Sequence, residues 1–157
     1  MENKRLKFQK CKKGFTLVEC VVSISLIVIV SICAYSTILF ANTAMIKDKI
    51  INFAIGDIDN AMVVLDASSG ITSFSLGEFN NNMNFAFDNN VVVENVSATA
   101  QNLTLTKDEN NNYATDGNVK VVFNISIESD KVVLNANVLF NDKVVYSLSK
   151  PYTKVVI

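Results

Sequence analysis

The chain has 157 residues, is half apolar, contains no histidine and has a net charge of −1. Lack of histidine removes the commonest general base and the commonest metal ligand, and no Ser–Lys or carboxylate spacing suggests a catalytic pair, so we expect no enzyme, cofactor or metal site. The three cysteines, Cys11, Cys20 and Cys33, all precede residue 34, which excludes a disulfide framework in the rest of the chain.

Charge is divided unevenly along the chain. Residues 1–14 carry six bases and one acid, a net charge of +5, whereas residues 15–157 carry a net charge of −6. A basic flank before an apolar run is read by the membrane-insertion machinery as the cytoplasmic side. The acidic remainder does not favour binding to a phosphate backbone, so nucleic acid is not an expected partner.

A long apolar run follows the basic segment. From Phe15 to Ala41 the only charged residue is Glu19, and the twenty-two residues from Cys20 to Ala41 are all uncharged. As a helix they would extend roughly 33 Å, enough to cross a hydrocarbon core of about 30 Å. We therefore predict a transmembrane or filament-core helix at 15–41. The alternative, a buried core helix of a soluble protein, is disfavoured by this length.

The helical pattern continues past the apolar run, over residues 45–66. Apolar residues recur there at intervals of three and four, which predicts one buried helix face: Ile51, Ile55, Ile58, Met62 and Leu65. Charged residues such as Asp57 are expected on the polar surface, and Gly70 suits a left-handed cap. We predict one helix from about residue 16 to 67, whose amphipathic second half falls within residues 42–70.

Strand-like alternation replaces the helical period towards the C-terminus. β-branched residues alternate over Val119–Glu128 and Lys131–Phe140, and Lys143–Ser149 closes the series. The joins at Ser129-Asp130 and Asn141-Asp142 are short and polar, which favours hairpins. The three segments predict an antiparallel meander, one face of which covers the apolar stripe of the helix.

The region between residues 71 and 118 has weaker patterns. Val91–Val96 and Asn102–Thr106 are predicted strands, whereas the asparagine-rich stretches 80–84 and 108–112 are predicted loops. The predicted fold class is therefore α+β. A long N-terminal α-helix, with a transmembrane half and an amphipathic half, packs on a small antiparallel β-sheet formed by residues 71–157.

Two acidic pairs are the candidate calcium ligands, Asp57 with Asp59 and Asp108 with Glu109. Neither pair has the glycine and the ligand periodicity of a calcium-binding loop. Both pairs are therefore predicted to be solvated charge.

The junction of the basic segment and the apolar run reads Lys12-Lys13-Gly14-Phe15-Thr16-Leu17-Val18-Glu19. A basic leader ending in Gly, then Phe-Thr-Leu-Val-Glu and a long apolar helix, resembles the processing site of type IV prepilins and pseudopilins. The resemblance is confined to the first part of the chain, up to about residue 40. Beyond that it extends only to the lollipop layout of a long helix followed by a small sheet domain.

The resemblance implies a role for three residues. A membrane-embedded prepilin peptidase would cut after Gly14, release the leader 1–14 and N-methylate the new terminus, Phe15. The carboxylate of Glu19 would pair with the N-terminal amine of a neighbouring subunit, which makes Glu19 an assembly residue. The implied partners are therefore other pilin subunits, the peptidase, and a membrane that holds residues 15–41.

Other interpretations of this segment stay open. Glu19 could lie at the membrane interface with its carboxylate among the headgroups. The N-terminus could be an ordinary secretory signal cut near Ala44, although such signals have apolar cores of about 7–15 residues. Cys20 or Cys33 could be a lipoprotein cysteine, although Glu19 and Ile32 stand where a small residue is expected.

The expected function is structural, that of a minor pilin in a type IV pilus that serves adhesion or motility. We expect one membrane pass, with the C-terminal domain outside the cytoplasmic membrane and later in an extracellular filament. Many major pilins have a proline near the place of Ser36 and a C-terminal disulfide; the lack of both points to a minor pilin, a pseudopilin or a Gram-positive source.

Two alternative functions are carried forward. One is a pseudopilin of a type II secretion or DNA-uptake apparatus, which shares the same leader. The other is an adhesive module at a filament tip, whose surface would be the asparagine-rich loops at 80–84 and 108–112. No small-molecule substrate is expected in either case.

Overall fold

The computed structural model describes residues 14–69, 74–129 and 131–153; the predicted leader before Gly14, the Gly70 cap and the join residue Asp130 lie outside them. Two helices and five strands form the described chain: α1 (Leu17–Ser69), α2 (Leu76–Ala86), β1 (Val91–Glu94), β2 (Ala100–Lys107), β3 (Val119–Ile127), β4 (Lys131–Phe140) and β5 (Lys143–Thr153). The chain divides into two compact units between Asn42 and Thr43. The α+β class, a long N-terminal helix with an antiparallel sheet, is confirmed.

The first unit contains the N-terminal part of α1. Its serine and threonine hydroxyls donate to the carbonyl oxygen four residues earlier, at 2.7–2.9 Å, from Ser23, Ser25, Ser31, Ser36 and Thr37. Because each hydroxyl is satisfied inside the helix, these polar residues are compatible with an apolar environment.

The second unit contains a five-stranded sheet in the order β1-β2-β3-β4-β5, with every neighbouring pair antiparallel. The predicted meander is confirmed, and Asn141 and Asp142 form its β4–β5 turn with φ angles of 51° and 58°. Strand β5 continues past the predicted end at Ser149 to Thr153. Pro151 is tolerated there because β5 is an edge strand.

Buried side chains of α1, α2 and one sheet face form a single apolar core in the second unit. On α1 the buried positions are Ile50, Ala54, Asp57, Ile58, Ala61, Leu65 and Ser68. The predicted stripe is correct for Ile58 and Leu65, but Ile51 and Met62 are only partly buried and Ile55 is exposed. Counting large apolar residues missed the alanines, which face the core because a small side chain lets the helix approach its neighbours.

Helix α2 overturns the prediction of a loop at 80–84. The Ser75 hydroxyl caps the helix by accepting a hydrogen bond from the Glu78 N–H at 3.5 Å, and Phe79 and Met83 are buried in the core. The low helix propensity of asparagine is overridden here by capping and by burial of the apolar face.

One asparagine of α2 is bound to the sheet. Asn80 Nδ2 donates to Gln101 Oε1 at 2.9 Å, and Gln101 Nε2 donates back to Asn80 Oδ1. Gln101 lies on β2 and is buried, so the reciprocal amide pair satisfies a polar group that would otherwise be desolvated without a partner. Asn80 is therefore a structural contact, which weakens the idea of an adhesive loop at this position.

A buried ion pair joins α1 to the end of β2. Lys107 Nζ lies 2.8 Å and 2.9 Å from the two carboxylate oxygens of Asp57, and the side chains are 6% and 10% exposed. The prediction that Asp57 is solvated is wrong, because its cation is fifty residues away in sequence and is brought to it only by folding. Lys107 also donates to Asn111 Oδ1 at 3.1 Å and lies 4.9 Å from the centre of the Tyr113 ring.

The phenol of Tyr113, next to this ion pair, has a shifted pKa. Burial, and then the charges of Asp57 and Asp88, raise the pKa of the Tyr113 phenol, which keeps it neutral.

The predicted loop at 108–112 is confirmed. Hydrogen bonds from the backbone and side chain of Asn112 lower the pKa of Asp108, so the stability that this carboxylate contributes is lost as pH falls through its folded pKa.

Gly117 provides a test of packing around Lys107. A Cβ at Gly117 would overlap the backbone carbonyl of Lys107, so we expect Gly117→Ala to destabilise the second unit by at least about 1–3 kcal/mol. Gly56 is the control, because a Cβ there meets open space within helix α1. We expect Gly56→Ala to raise stability by about 1 kcal/mol in the same urea titration. Equal effects of the two substitutions would contradict the packing.

Candidate processing and assembly site

The segment before α1 is short and open. Gly14, Phe15 and Thr16 have no regular secondary structure, and the helix begins at Leu17. Phe15 is 83% exposed and Gly14 is also exposed. Because glycine has no side chain, another backbone can approach the Gly14–Phe15 bond closely. The geometry is that of an accessible peptide bond directly before a helix.

Glu19 lies in the first turn of α1 and closes a capping box with Thr16. Glu19 Oε2 accepts hydrogen bonds from the Thr16 N–H at 2.8 Å and from Thr16 Oγ1 at 2.9 Å. The Glu19 N–H donates to Thr16 Oγ1 at 3.3 Å. The Thr-x-x-Glu spacing of a capping box is readable in the sequence, but the role expected for Glu19 rested on its charge alone.

The capping box gives Glu19 a role inside its own chain and leaves part of its carboxylate available. Both capping bonds end on Oε2, and among the described residues no hydrogen bond ends on Oε1. A carboxylate in the first turn also faces the positive end of the helix dipole. Glu19 can therefore hold the helix start and accept a further donor at the same time.

The helix after Glu19 is apolar and uncovered. None of residues 14–40 is buried, although most of these side chains are apolar. Helix α1 is long and apolar enough to cross a membrane. Apolar surface of this extent is rarely left in water, so it marks a contact with lipid or with other protein.

The other cysteines, carboxylates and strand lysines of the described residues suggest no metal-binding cluster. Cys20 and Cys33 are free thiols on the exposed helix. Within residues 14–69, 74–129 and 131–153, no group of three or more His, Cys, Asp or Glu side chains could hold a metal ion. Two strand lysines have acidic partners, since Lys120 lies 2.7 Å from Asp142 and Lys131 lies 3.0 Å from Glu128.

Comparison with known families identifies the N-terminal segment. Residues 9–35 match the family described as the prokaryotic N-terminal methylation motif. The match includes Gly14, Phe15 and Glu19 together with the first part of the apolar helix. Comparisons with curated proteins and with solved structures found no match. The match confirms the resemblance stated from the sequence, and the sheet domain lies outside it.

Proposed function

We propose that this chain, which carries the N-terminal methylation motif of type IV pilins and pseudopilins, is a minor pilin: a structural subunit that joins a type IV pilus through its N-terminal helix. The observation that carries the proposal is the position of the motif. The motif includes the non-helical Gly14–Phe15 bond and the first part of the exposed apolar helix that follows it. The role is structural rather than catalytic.

Processing is the first step of the proposed function. A prepilin peptidase cuts after Gly14 and N-methylates Phe15, and both residues are exposed and outside the helix. The cut removes a leader with a net charge of +5 and leaves the new amine one helical turn before Glu19. The capping bonds of Glu19 start at Thr16, so they survive the cut.

Assembly depends on the charge of Glu19. A lone carboxylate at the centre of a bilayer costs about 2.5–3.5 kcal/mol on insertion scales, and less near the interface. The methylated amine of Phe15 in a neighbouring subunit would supply the opposite charge and would bind at Oε1 without displacing Thr16. A buried pair of this kind adds little net stability, but it sets the register between helices.

The same proposal assigns location and partners. Before assembly the chain is a single-pass protein of the cytoplasmic membrane with its sheet domain outside, and afterwards it is part of an extracellular filament that serves adhesion or motility. Its partners are other pilin subunits and the peptidase. A Gram-positive source agrees with the lack of cysteine after residue 33. The alternative is a pseudopilin of a secretion or DNA-uptake apparatus, which would have the same kind of leader. Genes for a secretin or a competence operon next to the gene for this chain would favour the pseudopilin over the minor pilin.

Glu19 variants test the assembly step. We expect Glu19→Gln to keep the capping box, because glutamine fills the same position in such boxes, but to lose the ion pair. Its incorporation into filaments should fall at least tenfold while leader removal stays normal. Filaments sheared from cells and membrane fractions are compared by quantitative immunoblotting.

Two further variants separate charge from capping. Glu19→Ala removes both functions and should assemble as poorly as Glu19→Gln. Thr16→Ala removes the capping hydroxyl but keeps the charge of Glu19, so its incorporation should stay close to that of the wild type. Normal assembly of Glu19→Gln together with a defect in Thr16→Ala would show that Glu19 acts only as a helix cap. That result would contradict the ion-pair mechanism.

A further inference from the structure

A cluster at the end of β2, in which Lys107 and Asp57 are buried and Asn111 is exposed, has an arrangement that a stabilising ion pair does not require. Lys107 Nζ contacts the Asp57 carboxylate and the Asn111 side-chain oxygen at the same time. We propose that Lys107 and Asn111 form an intramolecular amide cross-link, with Asp57 as the proton acceptor and donor for the reaction. This proposal is independent of the filament assignment.

The three groups have the positions that the reaction needs. Lys107 Nζ lies 2.8 Å from Asp57 Oδ1 and 3.1 Å from Asn111 Oδ1, so amine, base and amide are in mutual reach. Holding reactants in such proximity replaces a collision of separate molecules by a step within one molecule. Because Cγ is bonded to the Asn111 oxygen that Nζ already contacts, rotation of the Asn111 amide would bring Cγ to the nitrogen.

The surroundings restrict the motion of the loop and shield the Lys107 amine. Asn111 is held in the left-handed region at φ 70°, and its N–H donates to the Asp108 carbonyl oxygen at 3.1 Å. The Tyr113 ring lies over Nζ, and the Lys107 and Asp57 side chains are almost completely buried. Water therefore has little access to the amine and its base, whereas the Asn111 amide is exposed.

The reaction balances without any added reagent. The Lys107 ammonium gives a proton to Asp57, and the Nζ lone pair attacks Cγ of Asn111. The Nζ–Cγ bond forms, the Cγ–Nδ2 bond breaks, and Asp57 passes protons from Nζ to the departing nitrogen. Neutral ammonia leaves and Asp57 keeps one proton as a carboxylic acid, so no unpaired charge stays in the buried site. A cavity of about 10 Å³ lined by Asp57, Lys107 and Asn111, among others, has room for one molecule the size of water or ammonia.

Lys107 attacks the side-chain carbon of Asn111, and not that of Asp57, because the two groups differ in charge. An ionised carboxylate is a poor target for an amine and a good base, whereas a neutral amide carbon can be attacked. The product keeps an N–H at Nζ that donates to Asp57, so the neutral carboxyl group keeps a hydrogen-bond partner. The cross-link closes a covalent ring over residues 107–111 and fixes the loop that covers the ion pair.

Mass measurement of the full chain tests the cross-link. The protein is purified from its own membranes, its N-terminus is determined, and its mass is measured after unfolding. We expect a mass lower by one ammonia than the sum of the residues present, and no cleavage after Lys107 by a lysine-specific protease. Lys107→Arg keeps the cation but cannot form the amide, and Asn111→Ala removes the acceptor, so both should have full mass. Lys120→Arg, at an exposed ion pair, is the matched control and should show the same loss of ammonia as the wild type.

Three results would overturn the proposal. A wild-type chain of full mass that is cleaved after Lys107 has no cross-link. A loss of ammonia that persists in Lys107→Arg comes from cyclisation of an asparagine with its own backbone. A loss of one water, with a branched peptide that joins Lys107 to Asp57, identifies the wrong acceptor. Because mass is read on the unfolded chain, a variant that folds poorly still gives a result.

Discussion

Lys107→Met is expected to destabilise the second unit by about 3–5 kcal/mol, because it leaves the Asp57 carboxylate buried without a lysine nitrogen, ammonium or cross-linked amide, to pair with. The carboxylate accepts from Lys107 at both oxygens and is almost fully desolvated, so water cannot replace the lost partner. Urea unfolding of the detergent-solubilised full chain, followed by near-ultraviolet circular dichroism of the tyrosines, measures the change.

Two controls identify the cause of this loss. The double variant Asp57→Leu with Lys107→Met removes both charges and should recover most of the lost stability, since apolar replacement of a buried pair is often neutral or stabilising. Lys120→Met removes the cation of a pair whose side chains are 40% and 78% exposed, and should change stability by about 0–1 kcal/mol. A double variant as unstable as Lys107→Met would contradict the unpaired-charge explanation.

Phe79→Ala is expected to cost about 3–5 kcal/mol, as removal of a fully buried phenylalanine usually does. Phe79 is 0% exposed and belongs to the core that α2 shares with the sheet. Phe85 is the matched control on the same helix, since its side chain is 87% exposed. Phe85→Ala should leave the free energy of unfolding almost unchanged in the same titration.

The comparison of these two phenylalanines also tests α2 itself. If residues 80–84 formed a solvated loop, as the sequence alone suggested, neither substitution would matter much. Equal and small effects of the two substitutions would therefore support a solvated loop at 80–84 and contradict the packing of α2 on the sheet. A large effect of Phe79→Ala alone is the result that the fold requires.

The strands and the long helix were predictable because their patterns are local. Alternating burial along β3 and β4 follows the alternation of apolar and polar residues, and the predicted limits of β4 coincide with the observed strand Lys131–Phe140. The start of α1 was predicted within about one residue. Its capping box was also present in the sequence, as Thr16 and Glu19 at the required spacing.

The features that escaped prediction depend on contacts between distant residues. Asp57 was predicted to be solvated because it fits no calcium-binding loop, and only the folded chain brings Lys107 to it. The asparagines of α2 favour loops when considered alone, yet Asn80 finds Gln101 on β2. Burial and distant hydrogen bonds override local propensity in both cases, and a single sequence contains no direct record of either contact.

The central claim is that the mature chain begins at Phe15. Mass spectrometry of the N-terminal peptide from protein isolated from its own membranes tests it most directly. The predicted result is a chain that starts at N-methylated Phe15, with Gly14 and the basic leader absent. A chain that starts at Met1, or after Ala44 as an ordinary secretory signal would leave it, would contradict the claim.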